Sequence, residues 1–277
     1  MKLTPELKKR ILTAIPGVAV LLFLLTLGGG VGATLVAAVI SVAMIWEFTD
    51  ITFSLPDKKE KRFILMGSAW LFIILNFWMS GAETALVVFF FLCMTSYFLF
   101  NAYEYEGDRL KTHYQELMIS LFGFVYLALL PSYLVSLRQA AFGVHWTMLF
   151  LFIVWAGDTG AYFVGQKYGR QKLYPHISPK KTLEGCYGGV LAGVVLSVLY
   201  KLLFFKQLSI FGAICIPLII GVTGPVGDLA ESFLKRAYDK KDASQLLPGH
   251  GGFLDRFDSV IFSLPIMYAL TRVFGAL

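Results

Sequence analysis

Charge is the scarcest property of this sequence. Only 15% of its 277 residues are Asp, Glu, Lys or Arg, against roughly 25% in a typical soluble domain. So low a share disfavours a fold solvated by water on all sides. Cysteine is scarcer still, at Cys93, Cys186 and Cys215. None has a partner at metal or redox spacing, which argues against a disulfide framework and leaves three small apolar fillers. No A-x-A-type cleavage site follows the first apolar run, so that run is expected to stay in the protein as a helix. An internal repeat, common in transporters, is also missing.

What is present is apolar surface. Hydrophobic residues make up 57% of the chain, 25 of them Phe, and the mean hydropathy is +0.70. About 20 apolar residues are needed for a helix to cross a bilayer. Runs of that kind fall at 11–28, 30–52, 63–80, 84–103, 117–136, 144–166, 187–206, 208–227 and 253–275. Each is mostly apolar all round, unlike the amphipathic helices of a soluble bundle. The expected fold is an all-α polytopic membrane protein of about nine spans. Residues 1–136 form an N-terminal group of about five helices, and 137–277 form a C-terminal catalytic domain of about four helices plus loops.

The basic residues orient this arrangement. With the N-terminus inside, the inside segments 1–10, 53–62, 104–116, 167–186 and 228–252 hold 19 of the 24 Lys and Arg. The other side has only Arg138, Lys201, Lys206 and Arg272. That imbalance follows the positive-inside rule, and a missed or invented span would invert it. The net charge of +6 is thereby read as membrane orientation and not as nucleic-acid binding.

Two inside segments carry chemistry. The first is "WAGDTGAYFVGQKYGRQKLYPHISPKKTLEGCYGG", residues 155–189. Asp158 sits among apolar residues, where a carboxylate faces a polar cavity or bonds to a neighbouring helix. Ser178, Lys180, Lys181 and Thr182 offer hydroxyl and ammonium donors suited to phosphates, and the lysines serve equally well as an orientation signal. The second is "GVTGPVGDLAESFLKRAYDKKDASQLLPGHGGFLDRFD", residues 221–258. Gly221, Gly224, Pro225 and Gly227 are expected to break the end of the eighth span, as backbone lining a cavity can. Asp228, Glu231, Ser232 and Lys235 recur at helical spacing on one face. Gly249, Gly251 and Gly252 are expected to leave bare amides for an anion, beside the positive end of the last helix.

Asp255 and Asp258 lie three apart on that last helix, roughly 5–6 Å between Cβ atoms. Two such carboxylates repel unless a cation joins them, and a hard divalent ion such as Mg²⁺ suits oxygen donors. Arg256 lies on the adjacent face and can fork onto a phosphate. Glycine amides, cations and paired carboxylates are the recurring parts of nucleotide phosphoryl chemistry.

Ser232 to Asp258, "SFLKRAYDKKDASQLLPGHGGFLDRFD", resembles the full signature of the phosphatidate cytidylyltransferase (CDP-diacylglycerol synthase) family, without departure over its length. "DTGAYFVG" and "ISPKKTLEG" resemble segments of its bacterial members. The resemblance implies that CTP and phosphatidic acid give CDP-diacylglycerol and pyrophosphate in phospholipid biosynthesis. It also implies Mg²⁺, a monovalent cation such as K⁺, a homodimer, and an active site on the cytoplasmic side of the inner membrane. Carried onto this chain, Asp228, Asp255 and Asp258 hold metal, and Asp255, Lys235 and Arg256 are catalytic. Substrate contacts fall to Ser178, Lys180, Lys181, Thr182, Ser232, Lys241, His250, Gly251 and Gly252. His250 beside glycines reads either as a substrate contact or as a turn residue. Another CTP-using membrane enzyme, such as a polyprenol kinase or one making CDP-archaeol, differs in its acceptor lipid. A transporter would use Asp158 and the broken span as an ion path.

Overall fold

The computed structural model describes residues 5–79, 81–246 and 251–275, the side chains of 5–14 and of Glu104 excepted. His250, Gly249 and Pro248 lie outside the described residues. The described chain is a succession of long helices: α1 (Pro5–Thr26), α2 (Gly29–Thr52), α3 (Lys58–Trp78), α4 (Glu83–Asn101), α5 (Gly107–Phe124) and α6 (Leu130–Gln139), then α7 (Gly143–Tyr168), α8 (Leu183–Leu203), α9 (Ile210–Ala237) and α10 (Leu254–Phe274). A π-helical turn, Val125–Leu129, joins α5 to α6, so Gly107–Gln139 runs as one continuous helical rod that contains a long apolar stretch. Among the described residues, eight helices are long and apolar enough to cross a membrane. They correspond to eight of the nine expected spans. The expected span at 11–28 overlaps α1, whose described apolar part is Ile15–Thr26.

Two features depart from the expected outline. The inside segment 167–186 is not all loop: β1 (Lys172–Tyr174) and β2 (Ser178–Thr182) pair antiparallel, Lys172 opposite Thr182 and Tyr174 opposite Ser178. The expected break at Gly221–Gly227 does not occur either, because α9 continues as a helix through Pro217 and Pro225 to Ala237. Gly221 and Gly227 serve close packing instead. A Cβ on Gly221 would fall 2.6 Å from Val190 Cγ2, and one on Gly227 would fall 2.7 Å from the Asp258 carbonyl oxygen. Only a bare Cα lets α9 approach its neighbours this closely.

The chain divides into two compact units. One comprises Met1–Ser136 and Asp242–Arg256, the other Leu137–Lys241 and Phe257–Leu277. The first is built on an aromatic core, with the Phe72 ring edge-on to Phe124 at 5.2 Å and to Phe90 at 5.7 Å. The turn between α2 and α3 is fixed by the buried Glu116, which accepts from Ser54 N at 2.9 Å, Leu55 N at 3.1 Å and Lys61 Nζ at 2.6 Å. Ser41 donates to the Leu127 carbonyl inside the π turn, where backbone oxygens lose their usual helical partners.

The second unit is organised by glycines. Gly185, Gly189 and Gly193 recur every fourth residue along α8, a small-residue face of the kind that lets membrane helices touch. A Cβ on Gly189 would lie 2.8 Å from the Gly157 carbonyl oxygen, and one on Gly160 would lie 2.6 Å from that of Gly188. Helices α7 and α8 therefore meet almost backbone to backbone. Thr182 caps α8 by accepting from Gly185 N at 3.2 Å. Glu184 accepts from Arg170 N at 3.0 Å and Gln171 N at 3.2 Å. These bonds hold the hairpin to the start of α8.

Candidate active site

Within the second unit, α7, β2, α8, α9 and α10 enclose a cavity of about 470 Å³, a size usual for a small-molecule site. Its character changes from one part of the wall to another. Ile153, Val154, Gly193, Pro217 and Ile220 supply apolar wall, whereas Asp158, Lys180, Lys181, Thr182, Asp228 and Ser259 supply charge and hydroxyls. A ligand with an apolar part and an anionic part matches such a lining.

Helix position explains the convergence. Asp158 and Tyr162 share a face of α7 one turn apart. Lys180 and Lys181 are presented by β2 just before the capped start of α8. Asp228 lies on α9 beside Gly227, where bare Cα packing brings α9 against the backbone of α10 at Asp258. Lys181 Nζ lies 2.5 Å from Asp228 Oδ2, and Ser232 Oγ donates to Asp228 Oδ1 at 3.4 Å. Asp258 is only 6% exposed. Its Oδ1 accepts from Ser259 N at 2.7 Å, and it sits in the electrostatic field of Asp228, Lys181 and Asp158. The carboxylates of Asp228, Asp258 and Asp158 thus share the field of Lys181 at this point.

The remaining candidates from the sequence are distributed more widely. Lys235 is buried in α9 with Nζ 2.8 Å from Glu231 Oε2. Ser178 is half-buried at the start of β2, and Lys180, Lys241 and Arg256 are exposed. Asp255 belongs to the first unit. There its carboxylate accepts from Gly252 N at 2.9 Å and Ala243 N at 3.1 Å. The expectation of a bare amide is therefore not met at Gly252. Phe253 N and Leu254 N donate to Glu47 at 2.9 and 2.8 Å. Gly251 adopts the left-handed φ of 83°, a conformation glycine takes without cost.

The donor set at the second unit's cavity suits a hard cation. Among the described residues no three His, Cys, Asp or Glu side chains form a finished metal cage. Mg²⁺ seldom uses one, binding through one or two carboxylates with waters and substrate phosphates completing the octahedron. Asp228, which lines the cavity, and the buried Asp258, which lies in its field, are carboxylates of the type such a site uses.

Two features, one in each unit, escaped sequence reasoning. Glu47 was hidden within an apolar span, although a lone carboxylate there is itself a signal. The Gly185, Gly189 and Gly193 spacing was also readable as a helix-contact motif.

A profile described as "Cytidylyltransferase family" matches residues 8–274. The chain is 32% identical to the phosphatidate cytidylyltransferase of Bacillus subtilis (strain 168), the alignment covering 98% of this chain and 99% of that protein. It is 31% identical to the phosphatidate cytidylyltransferase of Staphylococcus haemolyticus over 95% of this chain and 98% of that relative. With the Staphylococcus aureus protein of the same name it shares 43% identity over 130 residues, 46% of this chain and 49% of the relative.

Proposed function

The chain belongs to the cytidylyltransferase family, and from that premise we propose that it transfers the cytidylyl group of CTP to phosphatidate, giving CDP-diacylglycerol and pyrophosphate. The observation that carries this reading is the second unit's cavity, apolar along part of its wall and lined elsewhere by Asp158, Lys180, Lys181 and Asp228. Near-complete alignment with two proteins named phosphatidate cytidylyltransferase supports the same substrates.

In the reaction a phosphate oxygen of phosphatidate attacks the α-phosphorus of CTP. The new P–O bond forms as the bond to the β-phosphate oxygen breaks, and pyrophosphate carries away the electron pair. Both reactants are anionic, so the principal demand on the protein is neutralisation and alignment. Lys181, already paired with Asp228, is placed to exchange that carboxylate for a phosphate oxygen. Lys180 extends the positive rim, and Ser259 and Thr182 supply hydroxyls along the same wall. Phosphatidate is a sufficient nucleophile near neutral pH, so no general base is assigned. Asp228 and Asp258 would hold Mg²⁺, which when bound supplies charge neutralisation on the transferring and leaving phosphates. Asp255 and Arg256 open the helix that carries Asp258, and we assign them to the support of the same chemistry.

The acceptor carries two acyl chains, which accounts for an enzyme made of membrane helices. The distribution of basic residues supports a site on the cytoplasmic side, with the N-terminus inside. We further propose that the protein works as a homodimer in the inner membrane. The test is an assay of purified protein in detergent with radiolabelled CTP, comparing phosphatidate with a polyprenol and an unsaturated archaeal ether lipid. Labelled CDP-diacylglycerol from phosphatidate alone, lost on chelation and regained with Mg²⁺, is the expected result. Labelling of only another acceptor would overturn it.

A further inference from the structure

Glu47 lies in the last two turns of α2 and is only 1% exposed, so an ionised carboxylate there is costly unless it is hydrogen-bonded. The charge is compensated by three donors from a segment about two hundred residues away in sequence. Ser244 Oγ lies 2.5 Å from Oε1, Phe253 N lies 2.9 Å from Oε1, and Leu254 N lies 2.8 Å from Oε2. Leu254 is the first residue of α10, so the carboxylate also sits at the positive end of that helix dipole. Asp255 holds the same turn through Gly252 N and Ala243 N. Gly252 is left no room to vary, because a Cβ there would fall 2.7 and 2.8 Å from the two Glu47 oxygens. Every one of these residues belongs to the first unit.

We propose that Glu47 is a positioning residue for cytidylyl transfer. It fixes the turn at Gly251–Gly252 and the entry of α10, and with them the direction of Asp255 and Arg256, without itself touching substrate. The inference rests on the reading of the signature segment as part of a phosphatidate cytidylyltransferase site. Its chemistry requires two acceptor oxygens and a negative charge. A glutamine has the same shape but presents an NH₂ group, which meets a backbone N–H donor to donor.

Purified full-length parent, Glu47→Gln, Gly252→Ala, Glu47→Ala and the Glu47→Ala/Gly252→Ala double variant are assayed with CTP, phosphatidate and Mg²⁺. Displacement of a catalytic constellation by about 1 Å costs on the order of 10²-fold, so Glu47→Gln and Gly252→Ala are each expected to lower kcat by about that factor. KM for both substrates should stay within roughly threefold of the parent, the pattern of a group that sets geometry and not binding. In the Glu47→Ala background, Gly252→Ala should add no further loss, because the atoms its Cβ would meet are gone. Parental kcat in a folded Glu47→Gln protein, a change confined to KM, or losses that simply multiply in the double variant would overturn the proposal. Should Glu47→Gln not fold, Gly252→Ala carries the test, and parental kcat there overturns it. Amide exchange at Phe253 and Leu254 needs no turnover and should accelerate in Glu47→Gln; unchanged exchange also overturns it. A parent that makes no CDP-diacylglycerol instead defeats the functional reading, which the exchange measurement does not depend on.

Discussion

Two lysines in different units show how differently this protein uses the same side chain. Lys61 is 1% exposed and lies 2.6 Å from Glu116 and 2.8 Å from Asp57. The rings of Phe98 and Tyr105 lie 5.3 and 5.6 Å from its ammonium. Lys181 keeps 24% of its side chain exposed, meets one carboxylate at 2.5 Å and lines a cavity. The first lysine is enclosed by two carboxylates and two aromatic rings. The second stands among more negative charge than it neutralises, with open space beside it. Partner count and access, more than charge, separate a structural cation from one available to a ligand.

Removing Lys61 is the largest test of that distinction. Lys61→Met would leave Glu116 buried with no opposite charge, and breaking such a pair by removing one partner costs about 3–5 kcal/mol. Thermal unfolding in detergent should show a lower Tm, while kcat per folded molecule stays near the parent. An unchanged Tm would remove Lys61 from the structural class. Asp228→Asn is the complementary test, with an expected fall in kcat of roughly 10²–10³-fold. Its Tm should hardly move, because Asp228 keeps 36% of its side chain exposed. A folded Asp228→Asn protein with near-parental turnover at saturating Mg²⁺ would take the cavity acids out of the reaction.

The contrast also marks how far the sequence could be read. Apolar run length is a local property, so the eight long helices were legible, although the one expected at 117–136 begins at Gly107 and the one expected at 208–227 runs on to Ala237. The family was legible because the residues of its signature are contiguous in the chain. Lys61 and Arg62 read only as orientation charges, since their partners Glu116 and Asp50 are matched by folding and not by spacing. Glu47 and Leu254 are likewise far apart in sequence and meet only in the fold. The glycines of α9 signalled broken helix by propensity. Tertiary packing used them for close approach instead, a context in which membrane helices tolerate Gly and Pro. The hairpin at Lys172–Thr182 was hidden because its two strands are only three and five residues long.

The smallest expected effect separates phosphate contact from membrane orientation at "SPKKT". Both roles use positive charge, so a charge-removing variant cannot tell them apart. Replacing Lys180 and Lys181 with Arg keeps the charge and should preserve insertion. It exchanges a compact ammonium for a planar fork, which is not an equivalent contact at a fitted phosphate site. If Lys181 leaves Asp228 for a substrate oxygen, the double Arg protein should insert normally and lose about tenfold in kcat/KM. That is the scale of one charge-assisted hydrogen bond, ~1.5 kcal/mol. The loss should be clearest at low CTP, where kcat/KM governs the rate. Insertion is checked by protease protection in vesicles, and turnover by labelled CDP-diacylglycerol. Normal insertion with unchanged kcat/KM for both substrates would make the two lysines orientation charges only. The 2.5 Å pair between Lys181 and Asp228 would then join Lys61 and Glu116 as a structural contact, and the contrast between the two units would rest on the acids alone.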